Sequence, residues 1–535
     1  YKKKREWRNL YKIFSNFYLL KNIYKPTEKA HVLNNKFYQE LLYILGLKEV
    51  KKDGKNVIII DTEIKNSMAE QVYRKYIEDK EESPEIAFEN TFELIIIWIN
   101  RLLFIKLFEG QLVSFNTNDS CYHILDNDKI TSFQNLQDLF FNVLGKRERT
   151  ETEFYNKFSE IPYLNSSLFE KQEIEKRDIN INDLKNVPLT LKSHSVLTNK
   201  KIKELPLLQY IIDFLNSYDF GAYASEEGVL EHGKDIIDAS VLGLIFEKIN
   251  GYKDGSFYTP SEITEYMNKE TLERIVIQKI NQEMRWHCKT MDDLKFEIDS
   301  TRNLGLYKKL NEIINSIRIC DPAVGSGHFL VSALNRLIAI KADLGIIFIH
   351  GTDRLLRDYD IYVQDDALII EDAQGQDFIY DKSSVASQQI QETLFIEKKT
   401  IIEECLFGVD LNAKAVHICQ LRLWIELLKN AYYKNGIMET LPNIDIDIKV
   451  GNSLINKIPF IIGKRVGSKD TGFVLDSAAQ KILREYKKNV KAYKSESNKV
   501  QKEKIKKTIT SLKENMYSQY FQLNLFEDWE TYNDE

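Results

Sequence analysis

Two acidic residues and one glycine-rich turn carry the chemistry that can be read from this chain. Asp321-Pro-Ala-Val-Gly-Ser-Gly327 follows the apolar run Ile317–Cys320 and leads into the helical pattern His328–Lys341. Glycines between a strand and a helix let backbone approach a ligand closely and open the helix N-terminus toward it. Asp321 stands where the strand ends, so a cationic amino-acid group would meet a counter-charge there. The second acid, Asp410, closes the next strand pattern in Phe407-Gly-Val-Asp-Leu-Asn412. An acid in that position can accept from both hydroxyls of a ribose.

A GxG turn alone is a weak signal, shared with dinucleotide sites. Two features separate this one. Asp321 would repel a pyrophosphate, and Leu330 stands where a GxGxxG fingerprint has its third glycine. The two acids lie 89 residues apart, against a usual gap of about 20; a polar, irregular insertion over residues 341–400 accounts for the excess. The plainest alternatives are a structural turn and a surface Asp capping a buried strand. The combination of an acid for an ammonium, an acid for a diol and a glycine turn between them favours S-adenosylmethionine as the ligand.

The elements that must position these residues follow from periodicity. Ile317–Cys320, Cys405–Val409 and Ile444–Val450 read as strands, and His328–Lys341 and Ala413–Lys429 as the helices between them. Strands alternating with helices predict an α/β fold with a parallel, doubly wound, Rossmann-like sheet over residues 317–475. Residues 1–225 read as a mostly helical N-terminal region, with helices over Phe37–Leu47, Phe88–Leu112 and Leu205–Tyr218 and one strand at Val57–Asp61. Residues 226–316 read as a helical lead-in: a helix at Ile236–Ile249, a break at Gly251 and Gly255, the loop Phe257-Tyr-Thr-Pro260, then a helix opened by Ser261. Residues 476–535 form a basic helical segment. Its core, Lys481–Lys513, holds twelve Lys and Arg against three acids, either a solvated face or an arm for DNA phosphates.

Composition bounds the rest. A chain of 535 residues, 43% hydrophobic and 29% charged, suits a folded protein of several domains. A net charge of −6 leaves a nucleic-acid partner open, because local charge decides that. Five scattered cysteines with no CxxC pair point to reduced thiols in a cytoplasmic protein, and eight histidines with no HxxxH pair argue against structural zinc. Leu94–Ile99 and Leu102–Ile105 are interrupted by Asn100, Arg101, Lys106 and Glu109, which fits a buried helix and no membrane span. Nothing resembles a signal peptide, and the oligomeric state is not legible.

The ordered set Phe257-Tyr-Thr-Pro260, Asp321-Pro-Ala-Val-Gly-Ser-Gly-His-Phe-Leu330, Gly408-Val-Asp-Leu-Asn412 and Gly451-Asn-Ser-Leu454 resembles the motifs of gamma-class adenine-N6 DNA methyltransferases. More narrowly, the chain resembles the methyltransferase part of type IIG restriction–modification enzymes. Trp98–Phe104, Ile161–Phe169, Ala239–Lys248 and Leu421–Glu426 add to the likeness, which runs from about residue 37 to about residue 495. The Trp98–Phe104 helix itself reads most simply as packing.

The resemblance implies a class I methyltransferase sheet, S-adenosylmethionine as cofactor and double-stranded DNA as substrate. It also implies roles. Tyr258, Thr259 and Pro260 would lie over the methionine moiety. Asp321, Pro322, Ala323, Gly325, Ser326 and Gly327 would hold its amino-acid end. Asp410 would bind the ribose, Leu411 would lie against the adenine, and Asn452 would meet the adenine N6. Many relatives have Asp at that last place; an amide oxygen also accepts, so retuned binding is expected.

The family's catalytic Asn/Asp-Pro-Pro-Tyr/Phe motif is not in this chain, which has nine prolines and no adjacent pair. With the first residue a Tyr, the sheet incomplete and no target-recognition domain, the expectation is a fragment that binds the cofactor weakly and transfers no methyl group by itself. Asp61-x-Glu63-x-Lys65 superficially resembles the acids of a magnesium-dependent nuclease, but such triplets arise by chance in a Glu- and Lys-rich chain. A nuclease, and Mg with it, is expected only upstream of Tyr1. Two other readings remain: a phage-defence methyltransferase without a nuclease, and a non-catalytic protein that binds the cofactor and DNA.

Overall fold

The computed structural model describes residues 35–52, 55–116, 119–149, 152–164, 167–198, 202–221, 236–238, 259, 261–301, 303–364, 366–434, 437–439, 447–453, 462–464, 471–473, 477–496 and 499–521. Helix α1 (Asn35–Leu45) buries Phe37, Tyr38, Leu41, Leu42 and Leu45, one face at helical spacing. A hairpin follows, β1 (Leu47–Lys52) with β2 (Lys55–Ile60), in register Leu47↔Ile60. Ser67 caps α2 (Met68–Glu78) through the Glu70 N–H.

The 32-residue helix α3 (Pro84–Phe115) is the axle of this region. Ser83 caps it and Pro84 sits in its first turn, where a missing N–H costs nothing. From Thr91 to Leu112 almost every side chain is buried, so the helix runs through the core rather than along a surface. The polar residues that break its apolar run are satisfied inside. Arg101, fully buried, pairs with Glu175 of α4 (Glu173–Arg177), with Nη2 2.8 Å from Oε2. It also donates to the carbonyls of Leu168 and Glu170, and its guanidinium lies 5.0 Å from the Phe141 ring centroid. Trp98 Nε1 donates to the same carboxylate at 3.0 Å. Burial pushes the Glu175 carboxyl up, but the Arg101 charge and the hydrogen bonds from Arg101, the Gln172 N–H and Trp98 outweigh it and hold the acid below its ordinary range. Lys106 and Glu109 form a second buried pair, and Glu109 Oε2 accepts from the N–H groups of Ile124 and Leu125 at 2.7 and 2.8 Å. Both pairs fasten loops onto α3.

Short strands β3 (Pro188–Thr190) and β4 (Glu204–Pro206) pair antiparallel before α5 (Leu207–Leu215). Strand β5 (Asp219–Gly221) pairs in parallel with β6 (Ile236–Asp238). The helix expected from Ile236 therefore does not begin there; a short apolar run fits either period, and pairing beside Phe220 takes it as strand. Residues 239–249 of that expectation lie outside the described residues.

Helices α6 (Ser261–Met284), α7 (Met291–Thr301) and α8 (Leu304–Asn315) lead to β7 (Ile319–Asp321). Helix α9 (His328–Asp343), the hairpin β8 (Asp360–Gln364) and β9 (Ala367–Glu371), helix α10 (Val385–Glu404), β10 (Leu406–Asp410), α11 (Ala413–Lys429) and β11 (Ile448–Val450) complete the region. The strands form one three-stranded parallel sheet in the order β11-β10-β7, with Gly408 opposite both Asp321 and Ile448.

The stretch 341–400 is not the irregular insertion its polarity suggests. It holds the end of α9, a hairpin and most of a 20-residue helix. Polar residues conceal the pattern because several are buried and satisfied: Gln391 Nε2 donates to the Ala431 carbonyl at 2.9 Å, and Lys398 Nζ to the Glu426 carbonyl at 3.0 Å. Lys341, fully buried, ties three helices together through Asn311, Asn315 and Glu397.

The helical region and the sheet pack directly. Lys414 of α11 lies 4.8 Å from the Phe92 ring centroid of α3, and Asn116 Nδ2 donates to the Tyr433 hydroxyl at 2.8 Å. The basic segment forms α12 (Ser477–Ser495) and α13 (Lys499–Phe521). Among the described residues, no helix is long and apolar enough to cross a membrane.

Removing one partner of the Arg101–Glu175 pair strands a buried charge. Arg101→Ala is expected to lower the unfolding free energy by about 3–5 kcal/mol, and a paired Arg101→Met, Glu175→Leu replacement to recover most of that loss. Urea denaturation of both variants checks this.

Candidate functional site

The three parallel strands end together, and the loops that leave them are hydrogen-bonded to one another. After β7, the chain turns through Pro322–Gly327. The Asp321 carboxylate accepts from the Ala323 N–H at 3.1 Å, which fixes the first bend. The Val324 N–H donates to the Val409 carbonyl at 2.9 Å, so the loop continues the ladder past the end of the strand. The Gly325 N–H then donates to Asp410 Oδ2 at 2.8 Å. The other oxygen of Asp410 accepts from the Asn412 N–H at 2.8 Å. Asp410 is thus the latch between the two loops.

The glycines meet specific demands. Gly327 has φ +80° at the N-terminus of α9, and a Cβ there would lie 2.5 Å from Cys419 Sγ of α11. Gly325 is left-handed too, at φ +52°. A Cβ on Gly408 in the central strand would lie 2.8 Å from Cγ2 of Val324. Backbone, not side chain, therefore lines the approach between β7 and β10. Helices α9 and α11 both begin here, and Asn412 caps α11 by accepting from the Lys414 N–H at 2.9 Å. Two helix N-termini therefore start from the same strand ends, which favours negative groups near them.

The third loop closes on the first. The Gly451 N–H donates to the Asp410 carbonyl at 2.9 Å, and Ser453 Oγ donates to the Pro322 carbonyl at 2.6 Å. Leu411 is 73% exposed and Val450, opposite Asp410, is 52% exposed, so two apolar side chains stand at the rim beside an acid. Asn452, two residues after Val450, is exposed as well. Burial pushes the Asp321 carboxyl above its ordinary range; the Ala323 N–H opposes this and the Asp410 charge adds to it.

The fold brings Asp321, Pro322, Ala323, Gly325, Ser326, Gly327, Asp410, Leu411 and Asn452 to one end of one sheet. Tyr258 and Pro260 lie outside the described residues; Thr259 is half-buried just ahead of α6. That helix runs against α9, where Asn268 Nδ2 donates to the Phe329 carbonyl at 3.1 Å and Arg336 pairs with Glu265 at 3.0 Å.

Sequence reasoning missed five contributors. Arg422 donates to the buried Ser326 hydroxyl at 3.2 Å and braces the glycine turn from α11. Cys419, one turn earlier, floors Gly327, and burial pushes its thiol well above the ordinary range. Gly408 carried a readable signal, since a lone glycine inside a strand marks close backbone approach. His328 and Asp366 had none. The hairpin turn of β8 and β9 places Asp366 Oδ2 2.9 Å from His328 Nε2, in the first turn of α9.

Asp61, Glu63 and Lys65 do not assemble a cation site. Asp61 accepts from Lys48 Nζ at 3.0 Å and from the Glu63 N–H at 3.2 Å. Among the described residues, no three His, Cys, Asp or Glu side chains are placed to hold a metal.

Gly327→Ala is expected to destabilise the chain by about 2 kcal/mol, through the left-handed backbone and the clash with Cys419. Adding Cys419→Ala should return part of that loss in urea denaturation, because it removes the nearest atom and leaves the backbone strain.

A family model described as a domain of unknown function, DUF7814, matches residues 30–237, the helical region ahead of the sheet. A protein of Methanocaldococcus jannaschii, named as a type II restriction enzyme and methyltransferase, is 29% identical over 499 residues. The match covers 85% of this chain and 35% of that protein, so the chain spans well under half of its relative's length.

Proposed function

We propose that the hollow at the ends of β7, β10 and β11 binds S-adenosylmethionine. On this reading the region is a Rossmann-like methyltransferase sheet, and the chain is the cofactor-holding part of a restriction–modification enzyme that methylates adenine N6 in double-stranded DNA. The observation that carries it is the pair of acids at the ends of adjacent parallel strands, with the turn that follows Asp321 latched to Asp410 by the Gly325 N–H. The relative's name, a restriction enzyme and methyltransferase, points the same way.

The donor and acceptor set fits this ligand. Asp321 offers a carboxylate to the amino-acid ammonium, whose charge offsets the neighbouring Asp410 and lowers the cost of ionising a half-buried acid. Each Asp410 oxygen already accepts one backbone N–H, and a carboxylate oxygen has two acceptor sites. One site per oxygen remains, the number a ribose diol needs. Leu411 and Val450 supply apolar surface for an adenine, and Asn452 an amide at its edge. A pyrophosphate would meet the Asp321 charge. The cofactor supplies an electrophilic methyl group when bound. This chain's residues would bind and orient it; the sequence holds no Asn-Pro-Pro-aromatic motif to position a target base.

Calorimetry on the 535-residue chain tests the reading. S-Adenosylmethionine should give a saturable heat and NAD none; saturation with NAD and silence with S-adenosylmethionine would overturn it. Asp410→Ala should weaken binding by about tenfold or more, since it removes the diol acceptor and unlatches Gly325. The ammonium pairs with ionised Asp321, whose carboxyl is raised by burial, so affinity should be lost on acidification at a higher pH than an ordinary aspartate would give, while Asp321→Asn binds weakly with a flat profile.

A further inference from the structure

Residues 477–521 carry twelve Lys and Arg against four acids, in a chain whose totals are 74 basic and 80 acidic. The structure shows how this charge is displayed. Lys502 Nζ lies 5.5 Å from the Tyr493 ring centroid and Lys513 Nζ 5.9 Å from that of Tyr486, which pairs α12 and α13 as an antiparallel hairpin. Leu483, Tyr486 and Tyr493 of α12 and Ile505, Ile509 and Leu512 of α13 are withdrawn from solvent along the seam. Lys481, Arg484 and Lys488 follow each other at three- and four-residue spacing, so they share a face, and all three are exposed. Lys504 and Lys507 of α13 are exposed as well.

The hairpin is anchored. Lys494 Nζ lies 2.9 Å from the buried carboxylate of Asp447, immediately before β11, and also donates to the Glu403 carbonyl at the end of α10. Near α4, Glu173 feels the charge of Lys506, and Lys176 that of Glu503. The Lys494 contacts tie the hairpin that carries the basic stripe to the start of β11 and the end of α10.

We propose that the stripe on α12 binds the phosphate backbone of double-stranded DNA without reading its sequence. Its cations rise by about 5 Å from one to the next, close enough to track neighbouring phosphates, and phosphate contacts of this kind position a duplex without reading its bases. The choice of duplex DNA as the polyanion rests on the function proposed above.

Fluorescence anisotropy of a labelled random-sequence duplex, titrated with the full chain over a range of salt, tests this. Lys481→Glu, Arg484→Glu and Lys488→Glu combined should weaken binding by about tenfold or more and flatten the slope of log K against log salt by about two to three. The milder triple Gln variant should show a smaller loss in the same direction. A control reversing exposed Lys269, Lys289 and Lys309 should lose much less. Unchanged affinity and slope in the hairpin variants, or an equal loss in the control, overturns the proposal, as does tight binding of heparin with none of the duplex. Titrating the same proteins with S-adenosylmethionine separates the two failures. A chain that binds DNA through the hairpin but takes no cofactor refutes the cofactor reading alone, and one that takes cofactor with DNA affinity indifferent to the hairpin refutes this one alone.

Discussion

The Asp410 carboxylate joins three things that are far apart in sequence: its own strand, the turn after β7 and the start of α11. It does so with two backbone N–H groups, Gly325 on one oxygen and Asn412 on the other. An ionised acceptor binds such donors about twice as strongly as a neutral one. The turn around Gly325 is held by this acid, by the Val324–Val409 ladder bond, and by the braces that Arg422 sets on Ser326 and Ser453 on Pro322. The same carboxylate is also the group with spare acceptor capacity facing the hollow. On the function proposed above, structural duty and ligand duty fall on one residue, and the loop is correctly placed when that side chain is aimed at the Gly325 and Asn412 N–H groups.

Around this latch the fold places charges where their partners are already assembled. Arg101 and Lys341 are fully buried, yet each is met by a carboxylate and by carbonyl or amide oxygens from other elements. Such pairs add little net stability over an apolar core, but they specify one arrangement, since any slip strands a charge. Here they fix which loop lies on α3 and which helices flank β7. The contacts between α3 and α11 then seat the helical region against the sheet.

Much of this was legible before any coordinates. Asp321, Asp410 and the glycine turn stand out because residue type and strand-end position together limit what they can do. Helix Ala413–Lys429 and the buried course of α3 follow from apolar periodicity alone. Residues 341–400 misled because burial of Gln391, Lys341 and Lys398 depends on partners distant in the chain, so polarity there signals pairing rather than exposure. Ile236–Asp238 misled because three apolar residues carry no period. Arg422 and Cys419 were quoted or counted without a role, since helical spacing alone does not say which neighbour a buried face will meet. The Asp366–His328 contact needs a hairpin folded back over α9, which no local pattern announces.

The register of the sheet has one more consequence. Asp321 is level with Gly408, whereas Asp410 is level with Val450, two residues further on. At about 3.3 Å per residue the acids occupy treads of a stair roughly 7 Å high. On the function proposed above, a free amino acid would span only the lower tread and a bare nucleoside only the upper, so the staggered strand ends would act as a gauge for molecules long enough to rest a cation on one level and a sugar on the next, with no moving part.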